Sequence, residues 1–184
     1  MATTYISKST GKTLVVDTVE DLHDLFNPRV EFDNLGTMVC GHRRYSLGDI
    51  QLNSKEEFDV YIKDKNNIML PLYLYDHGGI TISTTPFSCP WDSGQVGFIL
   101  ASKEKVRACY GTSRVTKKVQ ETVLEGLKRE VLIYDKYLTG EVFYFKVLDA
   151  GGGEVDECSG FYGSDHVASG LIGETGIDDW ELVS

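Results

Sequence analysis

The chain has 184 residues, is 41% hydrophobic and 25% charged, and carries a formal net charge of −10. It contains no apolar run of about 18 residues, which excludes a transmembrane helix, and its first residues lack the apolar stretch of a secretory signal. We therefore expect a single cytoplasmic domain over residues 1–184, with no membrane contact.

Short strands and helices are predicted to alternate in the first third of the chain. Residues 12–16 are rich in β-branched side chains and predict a strand. Residues 18–26 predict a helix that Thr18 caps and that the Asn27-Pro28 step ends. Residues 29–53 are expected to form strand and loop. The capping-box pattern that begins at Ser54 then predicts a helix through about Ile62.

A hairpin and a long helix are predicted to follow. The strand over 68–75 should return through the turn His77-Gly78-Gly79, and residues 95–100 predict a further strand. Ser102 is expected to cap a short helix ending near Gly111. Apolar residues at three- and four-residue spacing predict a long helix over about 116–138, and residues 141–148 and 154–162 predict a second hairpin.

The order of these elements favours an α+β fold. We expect a mostly antiparallel sheet with the long helix and the shorter helices packed on it.

Charge is unevenly distributed along the sequence. No Lys or Arg follows Lys146, whereas nine acidic residues lie between Val147 and Ser184. Residues 164–184 are therefore predicted to be an acidic C-terminal appendage without basic residues. Such a segment disfavours non-specific binding to DNA and favours basic surfaces, and a solvated, solubilising face is the simpler interpretation.

Two motifs place polar and aromatic residues between glycines. They are DNLGTMVCGHRRYSLGD at 33–49 and YDHGG at 75–79, which leads to CPWDSGQVG at 89–97. Glycine-rich turns present side chains from a rigid scaffold, so we interpret the motifs as an interaction site. The candidate residues are Asp33, Asn34, His42, Arg43, Arg44, Tyr45, Asp49, Asp76, His77, Trp91, Asp92, Ser93 and Gln95.

The chemistry of the second motif stays open at the level of sequence. Asp76, His77 and Asp92 could form a metal site, or they could hydrogen-bond the backbone of the turns. Cys89 or Ser93 with His77 could form a nucleophile and base, but the surrounding residues match no known catalytic motif. We expect no catalytic residues, no metal and no cofactor.

The four cysteines are far apart in sequence. In a cytosolic chain we expect four reduced thiols, mostly buried as small apolar residues. The alternative is a zinc site built from Cys89 and Cys158 with His77 or His166, but the spacing lacks paired ligands.

Arg43, Arg44 and Trp91 each allow more than one interpretation. The two arginines, with Tyr45, could bind nucleic acid, insert into an acidic pocket of a protein, or form a polar network with Asp33 and Asp49. Trp91 could be an interface anchor, or it could plug the core beneath its own loop.

The two motifs, with SKEKVRACYG at 102–111 and YLTGEVFYF at 137–145, resemble a family of small proteins from bacteriophages and mobile elements. The resemblance covers about residues 29–163. It implies a family that includes a type II-A anti-CRISPR inhibitor, a non-enzymatic protein that acts stoichiometrically on an RNA-guided effector nuclease. The implied partner is a host defence nuclease in the cytoplasm of a bacterial host, with any nucleic acid contacted through that partner.

Two other functions remain open from the residues themselves. One is a small hydrolase that uses Asp76, His77, Asp92 and Ser93. The other is a nucleotide-binding sponge, in which Arg44, Tyr45 and Trp91 stack against and clamp the ligand.

Overall fold

A computed structural model describes residues 2–20 and 26–183 of the chain. They form two compact units. Unit 1 combines residues 1–27 with residues 140–184, and unit 2 is the continuous stretch 28–139. The fold class is α+β, as predicted, while the assignment of residues 1–184 to one domain stays a prediction.

Unit 1 is built on a five-stranded antiparallel sheet with the order β10-β1-β2-β8-β9. The predicted hairpin at 141–162 is confirmed as β8 and β9. The strands of the unit are β1 (Thr3–Ser7), β2 (Thr13–Thr18), β8 (Val142–Leu148), β9 (Glu154–Tyr162) and β10 (Trp180–Leu182).

The core of unit 1 lies on one face of this sheet. Leu14 and Val16 of β2 and Phe145 of β8 alternate inward and are almost fully buried. Leu171, in the one-turn helix α5 (Leu171–Glu174), completes this core. Residues 164–184 therefore contribute a buried side chain and the edge strand β10 to the unit.

Unit 2 contains a second five-stranded sheet with the order β4-β3-β7-β5-β6. All pairings are antiparallel except that of β3 with β4. Pro71 lies in the first half of β5, before pairing with β6 begins at Tyr73, so the missing N–H breaks no ladder with β6. The strands are β3 (Thr37–Cys40), β4 (Ile50–Gln51), β5 (Asn67–Asp76), β6 (Ile80–Ser83) and β7 (Ser93–Ser102).

The two faces of this sheet are covered by different helices. Helix α4 (Lys117–Leu138) packs Leu127 against the side of β7 that carries Ile99. Helix α2 (Lys55–Lys63) lies on the opposite side, where Phe58 packs near Leu100. The remaining helices of the unit are α1 (Pro28–Glu31) and α3 (Lys103–Tyr110).

The helix predicted over 18–26 is wrong at its start, because Thr18 belongs to β2. Residues 21–25 of that prediction lie outside the described residues. Pro28 begins α1, a position where its fixed φ and missing N–H are tolerated. Among the described residues, no helix is long and apolar enough to cross a membrane.

Candidate functional site

The two glycine-rich motifs come together in unit 2 because β3 pairs with β7. Cys40 lies opposite Gly97, and the Gly41 amide donates to the Val96 carbonyl at 2.8 Å. A Cβ on Gly97 would lie 2.0 Å from the Val39 carbonyl oxygen, and one on Gly41 would lie 2.8 Å from that of Leu52. Both positions therefore need glycine for close backbone approach, not for an unusual turn.

A cleft of about 570 Å³ lies where these motifs meet helix α2. We call it the α2 cleft, and it is lined by residues 41–43, 52–55, 58, 62 and 95–98. Three of the candidate residues, His42, Arg43 and Gln95, are in this lining. Lys55 and Phe58 come from α2 and were not singled out from the sequence, because they belong to an ordinary amphipathic helix pattern.

Arg44 and Tyr45 point to a different group, centred on Asp76. Arg44 forms an ion pair with Asp76, and the Tyr45 hydroxyl donates to the same carboxylate at 3.4 Å. The Arg44 guanidinium also lies 5.4 Å from the centre of the Tyr45 ring, and His42 stacks on that ring at 5.0 Å. Of the three interpretations left open for Arg43 and Arg44, the network with Asp33 and Asp49 is not supported, because Arg44 pairs with Asp76 and Asp49 pairs with Arg29.

His77 and Asp92 meet across the two loops of the second motif. The His77 Nδ1 lies 3.1 Å from Asp92 Oδ2, and the Cys89 thiol contacts the same carboxylate oxygen at 3.7 Å. Asp92 thus interacts with both groups. A nucleophile and its base must themselves be hydrogen-bonded, so this arrangement does not support a Cys89–His77 pair.

The Ser93 hydroxyl donates to the carbonyl of Cys89 and so closes the loop onto itself. This hydrogen bond directs the hydroxyl toward backbone and gives Ser93 no base. Within residues 2–20 and 26–183, no group of three His, Cys, Asp or Glu residues is placed to hold a metal ion.

Asp49 lies in a partly buried network within unit 2. Both of its carboxylate oxygens accept from Arg29, at 3.0 and 2.6 Å, and one also accepts from the Met38 amide. Arg29 reaches Glu130 of α4 at 2.8 Å, and its side chain is only 3% exposed. Glu130 in turn accepts from the amides of Leu35 and Gly36. Asp49 is therefore a structural residue.

The remaining candidates have separate positions. Asn34 donates its side-chain amide to the Pro28 and Phe32 carbonyls, which orders the turn after α1. Asp33 is exposed. Trp91 is 91% exposed, so the prediction that it plugs the core beneath its loop is wrong. Phe87 fills that role in part, since its ring packs 5.6 Å from that of Tyr75.

The cysteines are all free thiols, but they are less buried than expected. Only Cys40 is buried, whereas Cys109 is exposed and Cys89 and Cys158 are intermediate. Burial, together with the nearby Asp49 carboxylate, raises the pKa of Cys40 to about 12. Cys40 is therefore a neutral, apolar core residue at physiological pH.

Charge separates sharply between the two units. Residues 1–27 and 140–184 contain fourteen acidic and three basic residues, a net of −11, and residues 28–139 contain fourteen and fifteen, a net of +1. These values sum to the −10 of the chain. Nearly the whole net charge thus belongs to unit 1.

Several acidic residues of unit 1 stabilise its own backbone. Asp179 accepts from the Ser7 hydroxyl at 2.7 Å and from the Ser9 amide at 2.8 Å. Asp149 accepts from the amides of Gly151 and Gly153 in the β8–β9 turn. On the edge strand β9, by contrast, the acids are exposed, and Lys146 pairs with Glu154 at 2.8 Å and with Glu157 at 3.7 Å.

No match was found when the chain was compared with protein-family profiles, curated protein sequences and solved structures.

Proposed function

We propose that this chain is a stoichiometric, non-enzymatic binding protein that inhibits a host defence nuclease of the RNA-guided, type II-A class. The observation that carries the proposal is the net charge of −11 on unit 1. RNA-guided nucleases hold their nucleic acid in strongly basic channels, and complementary charge steers association toward such surfaces. The resemblance of the two motifs to phage and mobile-element proteins supports the same assignment.

The edge strand β9 is the part of unit 1 that we assign to the contact. Glu154, Asp156 and Glu157 are exposed on it, and Lys146, which pairs with Glu154 and Glu157, is the only Lys or Arg of the sequence from 140 onward. An edge strand also leaves one side of its backbone unpaired, which a partner can approach. The binding free energy should therefore weaken as salt concentration rises, because the interacting charges are exposed.

The test is a cleavage assay with a guide-loaded type II-A nuclease and increasing amounts of this protein, accompanied by a pull-down. Wild-type protein should abolish cleavage near an equimolar ratio and co-purify with the nuclease. The triple variant Glu154→Gln, Asp156→Asn, Glu157→Gln should require at least about tenfold more protein for the same effect, a loss on the scale of one or two charge pairs.

A matched control removes the same number of charges from unit 2. Glu56, Glu104 and Glu121 are exposed, and the triple change of these residues to Gln should leave inhibition unchanged. Undiminished cleavage at a large excess of wild-type protein, with no complex in the pull-down, would overturn the proposal. Equal loss of inhibition in both triple variants would instead remove β9 as the contact.

A further inference from the structure

The α2 cleft stands out electrostatically from the rest of this acidic chain. Its lining includes Arg43, Lys55 and His42 but no Asp or Glu. Within the described part of the chain, the side chains of Arg43 and Lys55 make no hydrogen bond and no ion pair. Asp59, which is one turn along α2, is paired with Lys63 at 2.8 Å, and Lys55 contributes only a weaker electrostatic attraction to Asp59. Two cations thus line a cleft that has no acidic side chain in its lining, which favours an anionic ligand.

The floor of the α2 cleft is apolar and partly aromatic. Phe58 and Phe98 meet there with their rings in an edge-to-face arrangement, 6.5 Å apart. Ile62 extends this surface along α2 and leaves 47% of itself exposed to solvent. A flat apolar group that covered these side chains would gain both burial and aromatic contact.

The lining of the α2 cleft also includes hydrogen-bonding side chains. The Asn53 backbone amide donates to Glu57 at 2.7 Å. The Asn53 side-chain amide makes no hydrogen bond to any residue that the structure describes. The Gln95 side chain makes one long contact, from Nε2 to the Gly97 carbonyl at 3.4 Å. Such amide groups can hydrogen-bond the polar edge of a heterocycle, because each offers a donor and an acceptor.

We propose that the α2 cleft binds a nucleoside phosphate. Arg43 and Lys55 hold the phosphate, the surface of Phe58, Phe98 and Ile62 receives the base, and Asn53 and Gln95 hydrogen-bond its edge. A volume of about 570 Å³ lies within the range of roughly 300–1,000 Å³ that small-molecule sites occupy. The ligand class combines an anion with a planar ring, which matches the two halves of the lining.

This site is distinct from the clamp of Arg44, Tyr45 and Trp91 that the sequence suggests for a nucleotide. Arg44 is committed to Asp76, and neither Tyr45 nor Trp91 is in the lining of the α2 cleft. Binding at the cleft also does not depend on the acidic strand β9, so it can be measured without a nuclease.

The experiment is isothermal titration calorimetry of the full chain with AMP, adenosine and inorganic phosphate. We expect AMP to bind at millimolar concentration or tighter, and adenosine and phosphate each to bind at least tenfold more weakly. Arg43→Gln and Lys55→Gln should each weaken AMP binding about tenfold, the scale of one charge-assisted hydrogen bond. The matched control Lys63→Gln, on the same helix but outside the cleft, should bind AMP as the wild type does.

A second variant set tests the apolar half of the site. Phe58→Leu should weaken AMP and adenosine alike by about tenfold, as expected for loss of base stacking. If thermal melting shows that Phe58→Leu does not fold, Ile62→Thr replaces it, because Ile62 is partly exposed and a polar side chain at that position does not disturb the core.

Three outcomes would overturn the proposal. The first is the absence of AMP binding to the folded wild-type chain, and the second is AMP binding that Arg43→Gln leaves unchanged. The third is displacement of AMP by a hexaglutamate peptide that binds more tightly, which would assign the cleft to an acidic peptide.

Discussion

Gly97 and Val39 lie on neighbouring strands so close together that a Cβ on Gly97 would be 2.0 Å from the Val39 carbonyl oxygen. The atoms nearest to that Cβ all belong to the backbone of Val39 and Cys40, so no side-chain rotation can relieve the overlap. Gly97 lines the α2 cleft together with Gln95 and Val96, so the shape of the cleft depends on the absence of a side chain at residue 97.

Gly97→Ala should lower the free energy of unfolding by about 3 kcal/mol, near the upper end for overpacking of a core. Urea denaturation followed by circular dichroism measures this. The control is Gly126→Ala in α4, where a Cβ meets no atom within 4 Å. That change should raise stability by about 0.5–1 kcal/mol, because alanine is the better helix former. Equal effects at the two positions would contradict the close approach.

Arg29→Met should destabilise the chain by about 3–5 kcal/mol, since it leaves the Asp49 and Glu130 carboxylates without their buried partner. Denaturant unfolding provides the measurement. Lys128→Met breaks an exposed pair with Glu125 and serves as the control, which should unfold close to the wild-type midpoint. A wild-type midpoint for Arg29→Met would mean that the network contributes no net stability.

Stability should fall in alkaline solution partly because of Cys40. Its pKa is raised to about 12 in the folded chain, mainly by burial, whereas an unfolded thiol titrates near 8.5–9. The folded state therefore holds this proton longer, and the stabilisation is complete below about pH 8.5 and is lost as pH rises toward 12.

Between pH 8.5 and 12, the contribution of Cys40 to the free energy of unfolding falls by up to about 1.4 kcal/mol per pH unit. Cys40→Ala should therefore lose stability less steeply with pH than the wild type, as measured by urea unfolding at a series of pH values. Tyr134 also has a raised pKa through burial, so some slope should remain. Cys109→Ala, at an exposed position, should keep the wild-type slope. Parallel slopes for wild type and Cys40→Ala would refute the assignment.

The two tryptophans should differ in their access to a fluorescence quencher. Trp91 is 91% exposed, whereas Trp180 is half-buried and donates Nε1 to the Thr175 hydroxyl at 2.7 Å. Acrylamide should therefore quench the Trp180→Phe variant, which retains Trp91, more strongly than the Trp91→Phe variant. The reverse order would show that the loop before β7 covers Trp91 in solution.

Local patterns predicted most of the helices and strands because their causes lie within a few residues. Ser54, Ser102 and Thr116 each cap a helix by accepting from the backbone amide three residues later. The apolar period of α4 identified its buried face, including Val123 and Leu127. The predicted hairpins β5–β6 and β8–β9 follow from strand propensity and an intervening glycine turn.

Long-range contacts could not be predicted in the same way. The ion pair between Arg29 and Glu130 joins residues 101 positions apart, and neither belongs to a recognisable motif. The sequence therefore indicated Asp49 as an interaction residue, although its carboxylate is paired with Arg29. The acidic segment that ends the chain was expected as an appendage, because its pairing with β1 depends on strands at the opposite end of the sequence.

The α2 cleft was partly visible from the sequence. His42, Arg43 and Gln95 were selected because they flank glycines, and the pairing of β3 with β7 brings them together. Lys55 and Phe58 carried no such signal. Their importance arises from the position of α2 over the sheet, which is a tertiary property.

The division of unit 1 between the two ends of the chain has a consequence for biosynthesis. Strands β1 and β2 leave the ribosome first, but β8, the strand that pairs with β2, is translated after all 112 residues of unit 2. Unit 2 is continuous and can fold while synthesis proceeds. Leu14 and Val16, by contrast, can be buried only after Phe145 has been synthesised, because the three residues share one core. A chain truncated after residue 139 would thus carry a complete unit 2 and an unfinished N-terminal hairpin with its apolar face open to chaperones.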